Sequence, residues 1–158
     1  MLKEKDPKML FSHVYIERCS KETETMIAEE SSTFLNESID YLKKHKNEFI
    51  YMELSSFEEI RVEAVSLEVD DVFGTYDVML GLKLQKKYDK YIKEYLNSNL
   101  NGDDAKFDLM FSSEDGLWNL NFTLNYVEGF QEEMTISEAF QLIYSFLSKL
   151  VASVNGAA

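Results

Sequence analysis

Cysteine occurs once in the 158 residues, as Cys19. One thiol cannot close an intrachain disulfide and cannot supply the thiolate set of a zinc cluster, so a reducing, cytoplasmic setting is expected. Arginine is almost as scarce. Arg18 and Arg61 are the only two, and lysine carries the rest of the positive charge; that bias, with plentiful Asn, Tyr, Phe and Ile, fits an AT-rich bacterial genome. Six glycines are present, none in a GxGxxG pattern or in a phosphate loop with its lysine, which argues against nucleotide hydrolysis and dinucleotide redox chemistry. No serine lies in a GxSxG elbow, and no base is identifiable beside Cys19, so nucleophilic catalysis has no visible machinery. No apolar run approaches the length of about 18 residues that a membrane span needs, and the charged start MLKEKDPK has no secretion-signal core. Neither a membrane nor a secretory route is expected.

Sixteen basic residues face 29 acidic ones, a formal charge of −13. The densest lysines (Lys43, Lys44 and Lys46; Lys83, Lys86, Lys87, Lys90 and Lys93) alternate with acids or tyrosines at helical spacing, as on solvated faces. A phosphate backbone is repelled by such a chain, so no nucleic-acid partner is expected. Hydrophobic residues make up 45% and aromatics 13%, enough for one domain with a real core.

Asp6 before Pro7 is a helix-start signal and predicts a helix over 7–19, against the alternative of a strand through His13 to Glu17 where Val14, Tyr15 and Ile16 favour extension. Phe34, Leu35, Ser38, Ile39 and Leu42 at helical spacing predict a second helix from Thr33 to Lys46, with 21–32 either extending it or forming a turn. The period then becomes two. Ile50, Met52 and Leu54 alternate, then Ile60, Val62 and Ala64, then Val65, Leu67 and Val69, and the slip between Ala64 and Val65 predicts a β-bulge. Ser56 with Glu59 reads alternatively as a capping box opening a helix at Phe57. Across the turn DDVFGT, one register pairs Val69 with Tyr76, Leu67 with Val78 and Val65 with Leu80. Lys86 to Leu96 reads as helix. Phe107, Leu109 and Phe111 then alternate toward Asp115-Gly116 and the run Trp118, Leu120, Phe122, Leu124; a two-residue turn pairs Phe111 with Leu120, Leu109 with Phe122 and Phe107 with Leu124. Thr135 and Glu138 box the start of a final helix, Ile136 to Val154. The expected fold is a single α+β domain, residues 1–158: an antiparallel sheet of four or five strands in two hairpins, helices on one face, two layers deep, with 1–32 a helical or irregular leader.

NSNLNGDDAKFD, Asn97 to Asp108, has oxygen ligands at the odd positions and the glycine of a calcium loop. Position one is neutral, position twelve is Asp108 rather than glutamate, and a strand follows, so the stretch reads better as a helix cap and turn. His13 and His45 are the only histidines, and nothing places them together. The acidic pairs Asp70/Asp71, Asp103/Asp104, Glu114/Asp115 and Glu132/Glu133 read as solvated turn formers. No catalytic residue, metal ligand or cofactor is therefore assigned.

One surface stands out. If Trp118 to Tyr126 alternate inward, then Asp108, Met110, Asn119, Asn121, Thr123 and Asn125 share the opposite, polar face with Ser112, and the other hairpin adds Glu63, Ser66, Glu68, Asp77, Met79 and Lys83. Carboxylates and amides on a rigid sheet can hydrogen-bond lysine and arginine. The favoured expectation is a small non-catalytic protein that binds a basic macromolecular partner, in the manner of an immunity protein or antitoxin. The alternative is a small-ligand binder or enzyme with an aromatic pocket between sheet and helices, lined by Tyr88, Tyr91, Tyr95 and Trp118. Either open strand edge could also pair in a homodimer.

Overall fold

The computed structural model describes residues 6–102 and 107–157. Its backbone is one antiparallel sheet of seven strands, β1 (Tyr15–Ser20), β2 (Met26–Glu30), β3 (Glu48–Glu53), β4 (Val62–Val69), β5 (Tyr76–Leu82), β6 (Phe107–Ser112) and β7 (Leu117–Thr123), in the order β2-β1-β3-β4-β5-β7-β6. The α+β class stands, but the sheet is larger than four or five strands. Both extra strands come from the leader. Asp6 does cap a helix, its Oδ1 accepting from Lys8 N at 2.8 Å, yet helix α1 stops at Leu10 (Pro7–Leu10) and the chain re-forms as β1 and β2. The β-branched run decides this, because Ile16 lies opposite Met52 and both are fully buried. The strand alternative was therefore nearer the truth than the helix over 7–19.

The helix predicted from Thr33 to Lys46 is broken in two. A 3₁₀ turn, Ser32–Asn36, buries Phe34 and Leu35, and helix α2 (Tyr41–Lys44) buries Leu42. Between them Ser38 bridges to Thr135, Ile39 N donates to Met134 O at 2.9 Å, and Ile136 N donates to Glu37 O at 2.8 Å. These long-range backbone bonds outcompete local helix formation at the same residues.

The central hairpin follows its pattern. Val69–Tyr76, Leu67–Val78 and Val65–Leu80 are paired, with the register shifting between Val62 and Val65 where the bulge was expected. Ahead of it, Ser55–Ile60 is a 3₁₀ helix that ends on Arg61 at φ 60°, so helix and strand readings each hold for part of the stretch.

The second hairpin keeps its faces but not its register. Phe111 pairs with Trp118, Leu109 with Leu120 and Phe107 with Phe122, a displacement of two residues. The loop is 113–116, closed by Gly116 N donating to Ser112 O at 2.8 Å with Gly116 at φ +67°, so Asp-Gly ends a longer loop rather than forming a two-residue turn. A shift of two leaves every side chain on its original face. It also sets Phe111 edge-on to Trp118, ring centroids 5.0 Å apart.

Helix α3 (Asp89–Asn99) follows a 3₁₀ turn at Lys86–Tyr88, and helix α4 runs Ile136–Ala157. The box at its start is formed: Glu138 N donates to Thr135 Oγ1 at 3.1 Å and Thr135 N to Glu138 Oε1 at 3.0 Å. The stripe Ile136, Ala139, Phe140, Ile143, Leu147, Leu150 and Val154 is fully buried, against the sheet side chains Ile16, Ile50, Val65, Val78, Leu120 and Phe122 in one continuous core. The alternate side chains of each strand point away from the helices. No helix among the described residues is long and apolar enough to cross a membrane.

Candidate site on the open face of the sheet

The face away from the helices carries most of the residues singled out from sequence, and its rows follow from strand order. Because β7 rather than β6 pairs with β5, Glu68, Asp77 and Thr123 lie side by side across β4, β5 and β7. The next row is Ser66, Met79, Asn121 and Asp108, and the third is Gly81, Asn119 and Met110. Of the six residues singled out from sequence, Asp108, Met110, Asn119, Asn121 and Thr123 come together. Asn125 does not. Strand β7 ends at Thr123, a 3₁₀ turn (Leu124–Tyr126) carries Asn125 off the face, and its Oδ1 accepts from Tyr76 N at 2.8 Å. Its role is to cap the end of the neighbouring strand.

An open depression of about 280 Å³ lies at the first two rows, lined by Glu68, Asp77, Met79, Asp108, Asn121 and Thr123 with Phe107 and Phe122 beneath. Its central group is Asp77. Burial, then the charges of Asp70 and Glu68, raise its pKa to about 6, with Lys21 opposing. Lys21 lies at this end of the sheet, 3.3 Å from both Glu68 and Asp71, and it donates to Val69 O at 2.6 Å. No ion pair among the described residues involves Asp77 or Asp108. Asp77 and Glu68 belonged to the expected face but were not singled out; the signal that marks them, the adjacency of β5 and β7, is absent from any local pattern.

In the other half of the same face two carboxylates are held by tyrosines. The hydroxyls of Tyr15 and Tyr51 donate to Glu17 and Glu53, each two residues along its own strand, and the two rings meet edge to face at 6.5 Å. Cys19 lies there too, buried, its Sγ 3.4 Å from Glu17 Oε1. Burial and that carboxylate push the thiol up to about 11, which keeps it protonated and weakly nucleophilic near neutral pH.

On the helix side, the charged groups close on one another. Arg18 Nε is 2.7 Å from Glu30 and its Nη1 is 3.1 Å from Glu48, while Tyr41 donates to Glu48 at 2.8 Å. The bond to Glu30 and then that to Glu48 hold the guanidinium above its ordinary pKa against the cost of burial. His45 stacks on Tyr41 with centroids 4.0 Å apart, and His13 is exposed in the turn before β1. The described residues contain no group of three or more His, Cys, Asp and Glu arranged to hold a metal.

The aromatic rings considered for a pocket pack otherwise. Tyr95 is buried with its hydroxyl donating to Phe146 O at 2.8 Å, and Trp118 Nε1 donates to Gln85 O at 3.3 Å. Tyr91 is exposed at the surface. In the stretch Asn97 to Asp108, Asn97 and Asn99 are the last turn of α3, and Asn99 Nδ2 donates back to Tyr95 O at 2.8 Å. Asn101 N donates to Tyr126 O at 2.8 Å, and Gly102 at φ +106° turns the chain beside the Tyr126 ring. This is a helix exit; residues 103–106, with the Asp103/Asp104 pair, lie outside the described residues. Of the other acidic pairs, Asp70 accepts from Val72 N and Phe73 N, both at 2.8 Å, which lowers its pKa, and it shapes the turn that leaves those two side chains in solvent. No family model, curated protein or solved structure matches the chain.

Proposed function

We propose that this protein is a non-catalytic binding protein that takes a basic macromolecular partner on the open face of its sheet, as an immunity protein or antitoxin does, in a reducing cytoplasmic setting. The observation that carries the reading is Asp77, half-buried at the centre of an acidic depression and raised to about 6 by burial and like charge. A carboxylate held at a cost to the folded chain, in a chain of net charge −13, is relieved when a lysine or arginine enters beside it. Asn121 and Thr123 supply neutral hydrogen-bonding groups around that position, and the long-range field draws in positive charge. The polar tips that could serve chemistry elsewhere, Arg18, Tyr41, Tyr95 and Trp118, are already bonded within the fold.

The test is a nuclear magnetic resonance titration with a lysine-rich peptide. Saturable shifts centred on Asp77, Asp108, Asn121 and Thr123, weakened in Asp77→Asn/Asp108→Asn, are expected. Shifts spread evenly over all the acidic residues, or none, would overturn the reading.

A further inference from the structure

Resting on that reading, we propose how the partner is held: the β6 edge accepts a strand from it, in which basic and apolar residues alternate. Among the described strands β6 ends the sheet. In an antiparallel pair every second residue turns both its N–H and its C=O away from its neighbour, so the outer side of β6 carries a row of backbone donors and acceptors that no described strand pairs. Nothing in the strand blocks that row. FDLMFS has no proline, its pairing with β7 runs without a register shift from Phe107 to Ser112, and Asp108 is its one charge.

The two sides of this edge ask for different side chains. Toward the helices, Phe107, Leu109 and Phe111 are only partly covered, whereas their partners Phe122, Leu120 and Trp118 on β7 are buried. Toward the open face, Asp108 and the exposed Met110 border the acidic depression. A strand laid beside β6 has alternate residues on the two faces. Apolar residues at one parity would complete the cover over Phe107, Leu109 and Phe111, and lysine or arginine at the other would lie beside Asp108 at the rim of the acidic depression. A second copy of this chain fits less well. Pairing β6 with itself about Met110 sets Leu109 against Phe111 of the other copy, but on the open face it brings Asp108 against Ser112 and sets the two acidic depressions on one joined surface. Backbone pairing gives affinity in strand addition and alternate pockets give specificity.

Three strand-length synthetic peptides test this by calorimetry: alternating lysine and valine, the same composition with the lysines in one block, and the alternating peptide with its backbone amides methylated. The alternating peptide is expected to bind at least about tenfold tighter than either control, the worth of one or two net backbone hydrogen bonds, and to protect β6 amides from exchange. Equal affinity for all three would overturn strand addition and leave the charged-face reading standing. No binding by any would overturn both. Sedimentation showing a dimer whose β6 amides are protected without peptide would overturn the choice of partner in favour of a second copy.

Discussion

The two edges of the sheet are finished in opposite ways. The β2 edge is five residues long, interrupted by a register shift between Arg18 and Cys19, and carries Glu29 and Glu30. On the helix side its last gap is filled by Arg18, clamped between Glu30 and Glu48. Short length, a bulge and charge are the usual means by which an edge is kept from pairing with strangers. The β6 edge, six residues long with Asp108 as its single charge, has no bulge: its pairing is regular and its helix-side residues are Phe107, Leu109 and Phe111. Among the described residues the less protected edge of the sheet is the one beside the acidic depression.

The largest expected effect breaks the closed edge. Arg18→Met leaves Glu30 and Glu48 without their guanidinium on the helix side, where the Arg18 and Glu48 side chains are only 21% and 11% exposed. Because the cluster is not fully dry, the loss should be about 2 kcal/mol, below that of a wholly buried pair. Urea unfolding measures it, and hydrogen exchange should show β2 opening first. If β2 amides exchange as slowly as in the parent, the cluster does not hold that edge.

Asp77→Asn sharpens the comparison from the open side. A carboxyl whose folded pKa is about 6 binds its proton more tightly folded than unfolded. Its ionisation therefore costs stability as pH rises from about 4 to about 6. The variant should be more stable than the parent at pH 7 by about 1 kcal/mol, after discounting for the half-exposed setting, and no more stable below about pH 4. Thermal melts across that range check the sign; a variant equally displaced at every pH would mean that charge is not the cause.

The smallest effect on folding is expected at the open edge itself. Met110 is 64% exposed, so Met110→Lys should shift stability by less than about 0.5 kcal/mol. It should nevertheless weaken the alternating peptide, by setting a like charge where the incoming lysines must lie. Unchanged affinity would place the peptide elsewhere on the face.

Much of this arrangement was legible in the sequence, element by element. The Val69–Tyr76 register, the bulge before Val65, the box at Thr135 and Glu138, and the faces of Phe107 to Phe111 all follow from residues close in the chain. The turn at Asp115-Gly116 shows the limit. Alternation identified which side chains point inward, but a loop longer by two residues satisfies the same alternation, and the contact between Phe111 and Trp118 chose between them. For Phe34 to Leu42 the apolar spacing was real, and Phe34, Leu35, Ile39 and Leu42 are all buried. What defeated the helix was a partner about a hundred residues away, through Ile39 to Met134 and Glu37 to Ile136.

The candidate site divides along the same line. The sequence alone determined the acidic balance, the single thiol, and the alternation that puts Asp108, Asn121 and Thr123 on one face, because charge and a period of two are local properties. Only the tertiary structure decided that β7 enters between β5 and β6, bringing Asp77 beside Thr123 and removing Asn125 from the face. Strand order is set by which apolar faces can be buried together and by loop closure, and neither is written in any one segment.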